Sequence, residues 1–177
     1  VREDWNSVCS NDGNEEIYVI GNPPYKGSKK QTPSMKADFE CYFNGEEYSK
    51  NLDYIALWFI KGARYISDTQ AKLAFVSTNS ICQGEHVGIM FPKIYDEGVD
   101  IEFAYTSFKW QNNAKDNAGV TVIIVGLANR NNFKKKLYSD GLIQEVRNIN
   151  AYLTPSDNNT IIHRRGGALT KYLPSIY

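Results

Sequence analysis

The sequence contains few of the residues that build disulfide frameworks or metal sites. Its 177 residues include three cysteines and two histidines. Cys9, Cys41 and Cys82 are odd in number and form no CxxC pair, so we expect no disulfide framework and a reducing, cytoplasmic location. Because His86 and His163 are the only imidazoles, we also expect no metal site.

Long apolar stretches and an excess of charge of one sign are also lacking. No run approaches the roughly 18 apolar residues that a membrane span requires, and residues 1–5 contain no signal-peptide core. The 20 basic and 20 acidic side chains cancel. The chain therefore has no overall basic field, and any contact with nucleic acid has to come from local patches.

The composition is that of one globular domain. Hydrophobic residues make up 42% and charged residues 23% of the chain, which excludes a disordered or low-complexity protein. Hydrophobic periodicity predicts strands over 17–20, 72–77, 99–105 and 120–125, helices over 52–66 and 85–97, and a short strand near 143–149. This alternation predicts an α/β fold. Only two helices are convincing, and parallel sheets need helices on both faces, so we expect part of a larger sheet.

Two segments have less regular patterns. Residues 26–48 show no periodicity and are predicted to form a long loop with at most a helical turn. Pro92 lies inside the second predicted helix, where it should kink the helix or restart it. Residues 107–118 are predicted to be a polar loop that carries two aromatic side chains, Phe108 and Trp110.

The first predicted strand ends in a segment that suits the binding of an amine. Asn22-Pro23-Pro24-Tyr25 lies at the carboxyl end of this strand, where open α/β sheets place their sites. The Asn22 carboxamide oxygen and a backbone carbonyl fixed by proline are two acceptors for the two N–H groups of a planar exocyclic amine. Such preorganised acceptors draw the nitrogen toward tetrahedral geometry and free its lone pair for attack. A plain strand-ending turn is the alternative interpretation.

The tetrapeptide and its surroundings resemble the adenine-N6 methyltransferase domain of MmeI-like type II restriction–modification enzymes, which use S-adenosylmethionine. The tetrapeptide alone is shared with methyltransferases that act on cytosine N4, RNA or protein glutamine. The segments that carry the narrower resemblance are 20–28, 52–59, 75–85, 108–110 and 113–115. They follow the gamma-type motif order, and the similarity runs over nearly all of residues 16–170.

The resemblance implies a role for each residue of the motif. Asn22, Pro23, Pro24 and Tyr25 are the implied catalytic residues, with Asn22 and the Pro23 carbonyl accepting from the adenine amine. Tyr25 would stack on one face of the base, which has to be flipped out of the duplex. Phe108 would close the other face, with Trp110 as the close alternative, although core packing is a second reading for both. Asn22 would also border the S-adenosylmethionine site.

The same resemblance implies that much of the enzyme lies elsewhere. The Gly-rich loop and the acidic residue that hold the donor precede the tetrapeptide strand in this family, and no GxG turn precedes Asn22 here. We therefore expect the chain to form the fourth to seventh strands of the Rossmann-like sheet of a class I methyltransferase. This part of the sheet should end in an antiparallel strand pair. The isolated fragment should be inactive, because its cofactor half, recognition domain and nuclease are missing. The exposed edge of the first strand could pair two copies into a dimer.

The resemblance also divides the chain. Residues 1–15 are expected to be a lead-in, 16–130 the catalytic half of the methyltransferase domain, and 131–177 its end and the start of a linker to the recognition domain. Weak contacts to the backbone of double-stranded DNA are expected from Lys134, Lys135, Arg164 and Arg165, although such basic runs are more often solvated faces. A non-catalytic DNA-binding subunit is the remaining alternative to an enzyme.

Overall fold

The structure, a computed structural model, describes residues 1–109 and 121–161. Its helices are α1 (Trp5–Val8), α2 (Pro33–Phe43), α3 (Tyr54–Ile66) and α4 (Gly84–Tyr95). Its strands are β1 (Tyr18–Gly21), β2 (Lys72–Thr78), β3 (Val99–Lys109), β4 (Thr121–Asn129), β5 (Lys135–Ser139), β6 (Leu142–Val146), β7 (Asn148–Ile149) and β8 (Pro155–Ser156). Every strand and helix predicted from periodicity is present, with shifted ends.

Six strands form one sheet in the order β1-β2-β4-β3-β5-β6. Strands β1 and β2 are parallel, and so are β3 and β5, whereas β4 is antiparallel to both of its neighbours and β6 is antiparallel to β5. Four of the six strands therefore point in the same direction. Strand β1 lies at the edge of the sheet, as predicted, and pairs only with β2 among the described residues.

Helix α3 packs on the sheet because its apolar residues cover most of its circumference. Ten of its 13 residues are buried, and Phe59 meets Phe75 of β2 edge-to-face with ring centroids 5.3 Å apart. A Cβ on Gly62 would lie 2.1 Å from Leu73 Cδ1, so the absence of a side chain lets α3 approach β2 closely. Within the described ranges, none of the helices has the length and apolar character needed to cross a membrane.

The prediction of a long loop over 26–48 is wrong, because α2 occupies Pro33–Phe43. The helix begins with good capping: the Thr32 side chain accepts a hydrogen bond from Met35 N, and Pro33 occupies the first turn. Only Phe39 and Phe43 are buried, and two apolar contacts produce too weak a periodicity to be seen in the sequence.

Three further predictions need correction. Helix α4 runs from Gly84 to Tyr95 as one element, so Pro92 does not restart it. Strand β3 extends to Lys109, which places Phe108 in a strand rather than a loop, and Trp110 lies outside the described residues. Strand β5 was not predicted because its lysines obscure the alternation; Lys135 and Leu137 are buried and Lys136 is exposed.

The two faces of the sheet have different surroundings. Helices α3 and α4 bury the residues of one face, such as Leu73 and Phe75 of β2. On the other face, which we call the open face, apolar side chains are half-buried or exposed. The open face consists of Tyr18, Ile20, Ala74, Val76, Phe103, Tyr105 and Ile124. Ile20 is 81% exposed and Tyr18 is 57% exposed, which is unusual for strand residues of this size.

Candidate active site at the carboxyl edge of the sheet

The sheet brings the tetrapeptide and Phe108 to one edge. Gly21 of β1 pairs with Phe75, Phe75 with Val125, and Val125 with Ala104 of β3, so these four residues lie in one row across the sheet. Since β1 and β3 point the same way, Asn22 and Phe108 both lie beyond this row at the carboxyl edge. Open α/β sheets place their ligands at this edge.

The tetrapeptide combines a buried anchor with exposed polar and aromatic groups. Pro23 is buried, whereas Asn22, Pro24 and Tyr25 are exposed. The exposed fraction of Tyr25 is 39%. Proline fixes its own φ and removes a backbone donor at two successive positions. The segment therefore presents acceptors and one aromatic ring to a ligand, which are the groups that an aromatic amine requires.

The loop that follows the tetrapeptide is attached to the start of α3. The Lys26 carbonyl accepts a hydrogen bond from Tyr54 N at 2.8 Å, and Ser28 N donates to Asp53 Oδ1 at 3.1 Å. Gln31 Nε2 donates to the carbonyl of Leu52 at 2.8 Å. Because the first free N–H of α3 is satisfied by the loop, helix and loop hold each other in place.

Asp53 connects this loop to two further elements. Its Oδ2 accepts a hydrogen bond from Ser80 Oγ at 3.1 Å, just beyond the end of β2. Its Oδ1 lies 3.2 Å from Nε2 of His86 on α4, and its backbone N lies 3.3 Å from the same nitrogen. One carboxylate thus joins the tetrapeptide loop, β2, α3 and α4 at the carboxyl edge.

The pair of Asp53 and His86 shifts the pKa of each group. Burial by itself would raise the pKa of Asp53, but hydrogen bonds from His86, Ser80 and Ser28 outweigh it, and the pKa is lowered from its ordinary value. The hydrogen bond to Asp53 is the main cause of a raised pKa for His86, against the effect of burial. Each shift favours the charged form of its group, whereas the hydrogen bond that His86 Nε2 accepts from Asp53 N requires an unprotonated nitrogen.

The sequence pattern does not single out Asp53, Ser80 or His86. His86 is half-buried within α4. The partners are 27 and 33 positions from Asp53, so no local spacing could join them. The available signal was an aspartate directly before an amphipathic helix, which is typical of a helix N-cap.

The aromatic residue predicted for the second face of the base lies at the same edge but is not in contact with the tetrapeptide in any described interaction. Phe108 is half-buried and lines a cavity of ≈ 480 Å³ with residues 105–107 and 138–143. Two register shifts interrupt β3, one of them between Tyr105 and Phe108, and such bulges redirect side chains. Trp110, the alternative, lies outside the described residues.

The residues predicted to contact the DNA backbone have different surroundings in the structure. Lys134 keeps an exposed side chain and pairs with Glu145 at 3.5 Å. Lys135 is 2% exposed, and its Nζ donates to Asn131 Oδ1 at 2.8 Å. A side chain buried to this extent cannot reach a phosphate, so the prediction is wrong for Lys135. Arg164 and Arg165 lie outside the described residues. In residues 1–109 and 121–161, no group of three or more His, Cys, Asp or Glu side chains could hold a metal ion.

Comparison with known proteins agrees with this geometry. DNA methyltransferase A of Bacillus subtilis (strain 168) is 48% identical over 165 residues, which are 93% of this chain and 19% of the relative. The structure of MmeI, a type IIL restriction–modification enzyme in complex with DNA, matches with a TM-score of 0.77 at 36% identity. This match covers 86% of this chain and 21% of MmeI. The chain thus spans about a fifth of both proteins.

The match in structure confirms the predicted fold class, a mixed α/β sheet that corresponds to a fragment of the methyltransferase in MmeI. The family model described as MmeI, DNA-methyltransferase domain, matches residues 1–139. The chain therefore belongs to the family of MmeI DNA-methyltransferase domains.

Proposed function

We propose that the chain is the part of a DNA methyltransferase that binds the target amine, the exocyclic N6 of adenine, in a restriction–modification system. The observation that carries the proposal is the placement of the tetrapeptide. It lies at the carboxyl edge of the sheet with Pro23 buried and with Asn22 and Tyr25 exposed. Family membership and similarity to a DNA complex of MmeI support DNA as the substrate.

The chemistry follows from the groups that the tetrapeptide offers. Asn22 Oδ1 and the Pro23 carbonyl oxygen accept the two N–H bonds of the amine, and Tyr25 stacks on the flipped base. Phe108 closes the opposite face, with Trp110 as the second candidate. The two acceptors hold the nitrogen lone pair out of the plane of the ring and stabilise the positive charge that develops on N6 during alkylation. S-adenosylmethionine, when bound, would supply the electrophilic methyl group, whose C–S bond would break as the N6–C bond forms, and N6 would then release one proton to solvent.

The described residues fit the methyl donor only at its edge. Asn22 is the single residue of the tetrapeptide that we assign to that edge. No GxG turn, which in this family holds the donor, precedes Asn22. We therefore place the main donor site on a part of the polypeptide outside these 177 residues. Titration calorimetry of the chain with S-adenosylmethionine should show no micromolar binding, and micromolar affinity would contradict this placement.

The open face also supports the proposal that part of the active site lies on another segment of the polypeptide. It exposes apolar side chains, including Ile20 and Tyr18, beside the ion pair of Lys72 and Glu102, whereas α3 and α4 cover the opposite face. An open α/β sheet normally has both faces covered. Because the chain spans 19% of its Bacillus relative, we assign the cover to another segment of a longer polypeptide. The isolated chain should then be inactive.

Other amines remain alternatives because they offer the same two N–H donors. The N4 amine of cytosine, an RNA base and a protein glutamine amide would all fit the two acceptors, and a DNA-binding subunit without catalysis is the remaining possibility. No described residue favours any of them over adenine.

Nucleoside mass spectrometry distinguishes these possibilities. The longer polypeptide that contains the chain is incubated with S-adenosylmethionine and plasmid DNA, which is then digested to nucleosides. We expect N6-methyldeoxyadenosine. N4-methyldeoxycytidine would identify cytosine as the substrate, and the absence of any methylated deoxynucleoside would contradict the proposal.

A further inference from the structure

The segment after the tetrapeptide carries an unusual concentration of positive charge. Between Glu16 and Asp38 the sequence contains four lysines and no acidic residue, although the chain as a whole has 20 residues of each sign. Three of these lysines, Lys26, Lys29 and Lys30, lie within five residues of Tyr25 and are exposed. We call these three residues the lysine ridge.

The lysine ridge is not neutralised by the ion pairs of the described residues. Those pairs use other basic side chains, namely Arg2, Lys50, Arg64, Lys72, His86, Arg130 and Lys134. The carboxylate that contacts this segment is Asp53, whose oxygens accept from Ser28 N, Ser80 Oγ and His86. The ammonium groups of the ridge are therefore available to an anionic ligand.

The backbone of the lysine ridge is fixed, although its side chains are exposed. A short 3-10 helix spans Ser28–Lys30, and Lys30 N donates to the carbonyl of Gly27 at 2.8 Å. The Lys26 carbonyl and Ser28 N are both bonded to the start of α3. A backbone that is ordered before binding loses less conformational entropy when a ligand is bound.

We propose that the lysine ridge binds the phosphates of the DNA strand that carries the target base. This inference rests on the proposed function, since it takes Tyr25 as the residue on which the base stacks. Five residues span at most about 18 Å, and a strand of DNA presents a phosphate about every 3.4 Å along the axis. Every lysine of the ridge is then within reach of phosphates that flank the flipped nucleotide.

This contact would have a specific energetic role. Flipping a base costs a few kcal/mol of stacking and pairing, and phosphate contacts fix the register of a protein on DNA without reading sequence. Charges placed beside the pocket hold the strand next to the flipped nucleotide. Lys135, by contrast, lies at the start of β5 and is buried.

The test measures how DNA affinity depends on salt. The longer polypeptide binds a 30-base-pair duplex of random sequence at a series of salt concentrations, as wild type and as the double variant Lys29→Gln/Lys30→Gln. Each lost phosphate contact reduces the magnitude of the slope of log K against log salt by about 0.9. The slope of the double variant should therefore be smaller in magnitude by about 1.8. Lys29→Arg/Lys30→Arg should restore the slope, because the charge is retained.

Lys93→Gln is the control at a site away from the ridge; Lys93 is half-buried, and its Nζ donates to the Glu47 carbonyl at 2.8 Å. Lys93 is in the last turn of α4, which ends shortly before β3 begins and so lies at the opposite edge of the sheet. The slope of log K against log salt for Lys93→Gln should equal that of wild type. The inference is overturned if the double variant keeps the wild-type slope while the wild type methylates DNA, or if only binding to duplex RNA is weakened. If the wild type neither binds nor methylates DNA, the proposed function itself fails.

Discussion

Oδ1 of Asp53 lies 3.2 Å from Nε2 of His86, and this contact ties the loop after the tetrapeptide to helix α4. The same carboxylate accepts hydrogen bonds from Ser28 N and Ser80 Oγ, both at 3.1 Å. The loop that follows Asn22 is thus held at Ser28 by a residue 31 positions after Asn22. Precise placement of reacting groups is a large part of enzymatic rate enhancement.

Replacing Asp53 by Asn should slow methyl transfer. An amide keeps one acceptor but presents an NH₂ group where the carboxylate accepts a hydrogen bond, so the loop loses part of its attachment. A displacement of about 1 Å can cost about 100-fold in rate, and we expect a decrease of about 10- to 100-fold in single-turnover experiments with the longer polypeptide. DNA affinity should change far less.

Ser80→Ala provides the comparison for Asp53→Asn. It removes one of the three hydrogen-bonding partners of Asp53 and leaves the other two intact. Its rate should fall less than that of Asp53→Asn. A positioning role is contradicted if Asp53→Asn transfers methyl groups at the wild-type rate, or if both variants lose DNA affinity and rate in equal proportion.

The pKa of His86 should be above its ordinary value of 6.5, chiefly because of the hydrogen bond to Asp53. The chain has two histidines, so two imidazole Cε1–H signals in an NMR titration can be assigned with a variant of His163. Asp53→Asn should lower the pKa of His86. A pKa at or below 6.5 in the wild type, or one that Asp53→Asn leaves unchanged, would contradict the ion pair.

The shifted pKa values also determine how the pair affects stability. His86 has a raised pKa in the folded state, so its contribution is complete below about pH 6.5 and is lost as the pH rises through the folded pKa. Asp53 has a lowered pKa, so its contribution is present above about pH 4 and is lost as the pH falls through the folded pKa. The pair therefore stabilises the fold most between these limits.

Two neighbouring residues of β1 test whether the open face is covered in the longer polypeptide. Ile20 is 81% exposed, whereas Val19 packs against the core. In the isolated chain, Ile20→Thr should change the free energy of unfolding by less than about 0.5 kcal/mol. Val19→Thr should cost about 1–3 kcal/mol, because it buries a hydroxyl. Denaturant titration measures both.

In the longer polypeptide, the two substitutions should have similar effects on the free energy of unfolding. Ile20 would then be covered, and Ile20→Thr should destabilise the methyltransferase domain by about 1–3 kcal/mol, as Val19→Thr does. If Ile20→Thr remains neutral in the longer polypeptide, the open face is not an internal interface, and the assignment of its cover is wrong.

Periodic packing explains what the sequence predicted correctly. Helix α3 and strand β2 were predicted because their apolar residues repeat at 3.6 and 2 residues and pack against each other, as Phe59 and Phe75 do. Helix α2 escaped prediction because it buries only Phe39 and Phe43. Its stability comes from its cap and from aromatic contacts, including Phe43 with Tyr48 at 4.6 Å.

The candidate site was predictable only where its chemistry is contiguous. Asn22 to Tyr25 form one short motif that follows a strand, so residue type and position were enough to identify them. Asp53, Ser80 and His86 come from three separate elements, and only the folded chain brings them together. The burial of Lys135 could not be predicted from the sequence either, because a run of lysines does not show which one faces the core.

The rate of methyl transfer by Asn22 variants tests the central claim most directly. Single-turnover transfer is measured with the longer polypeptide as wild type, Asn22→Ala and Asn22→Asp, with DNA affinity measured in parallel. Loss of one preorganised hydrogen-bonding group costs about 100- to 1,000-fold in comparable sites, and we predict this loss for Asn22→Ala with DNA affinity nearly unchanged. Asn22→Asp keeps an oxygen acceptor and should lose less. Methyl transfer at the wild-type rate by Asn22→Ala would contradict the account.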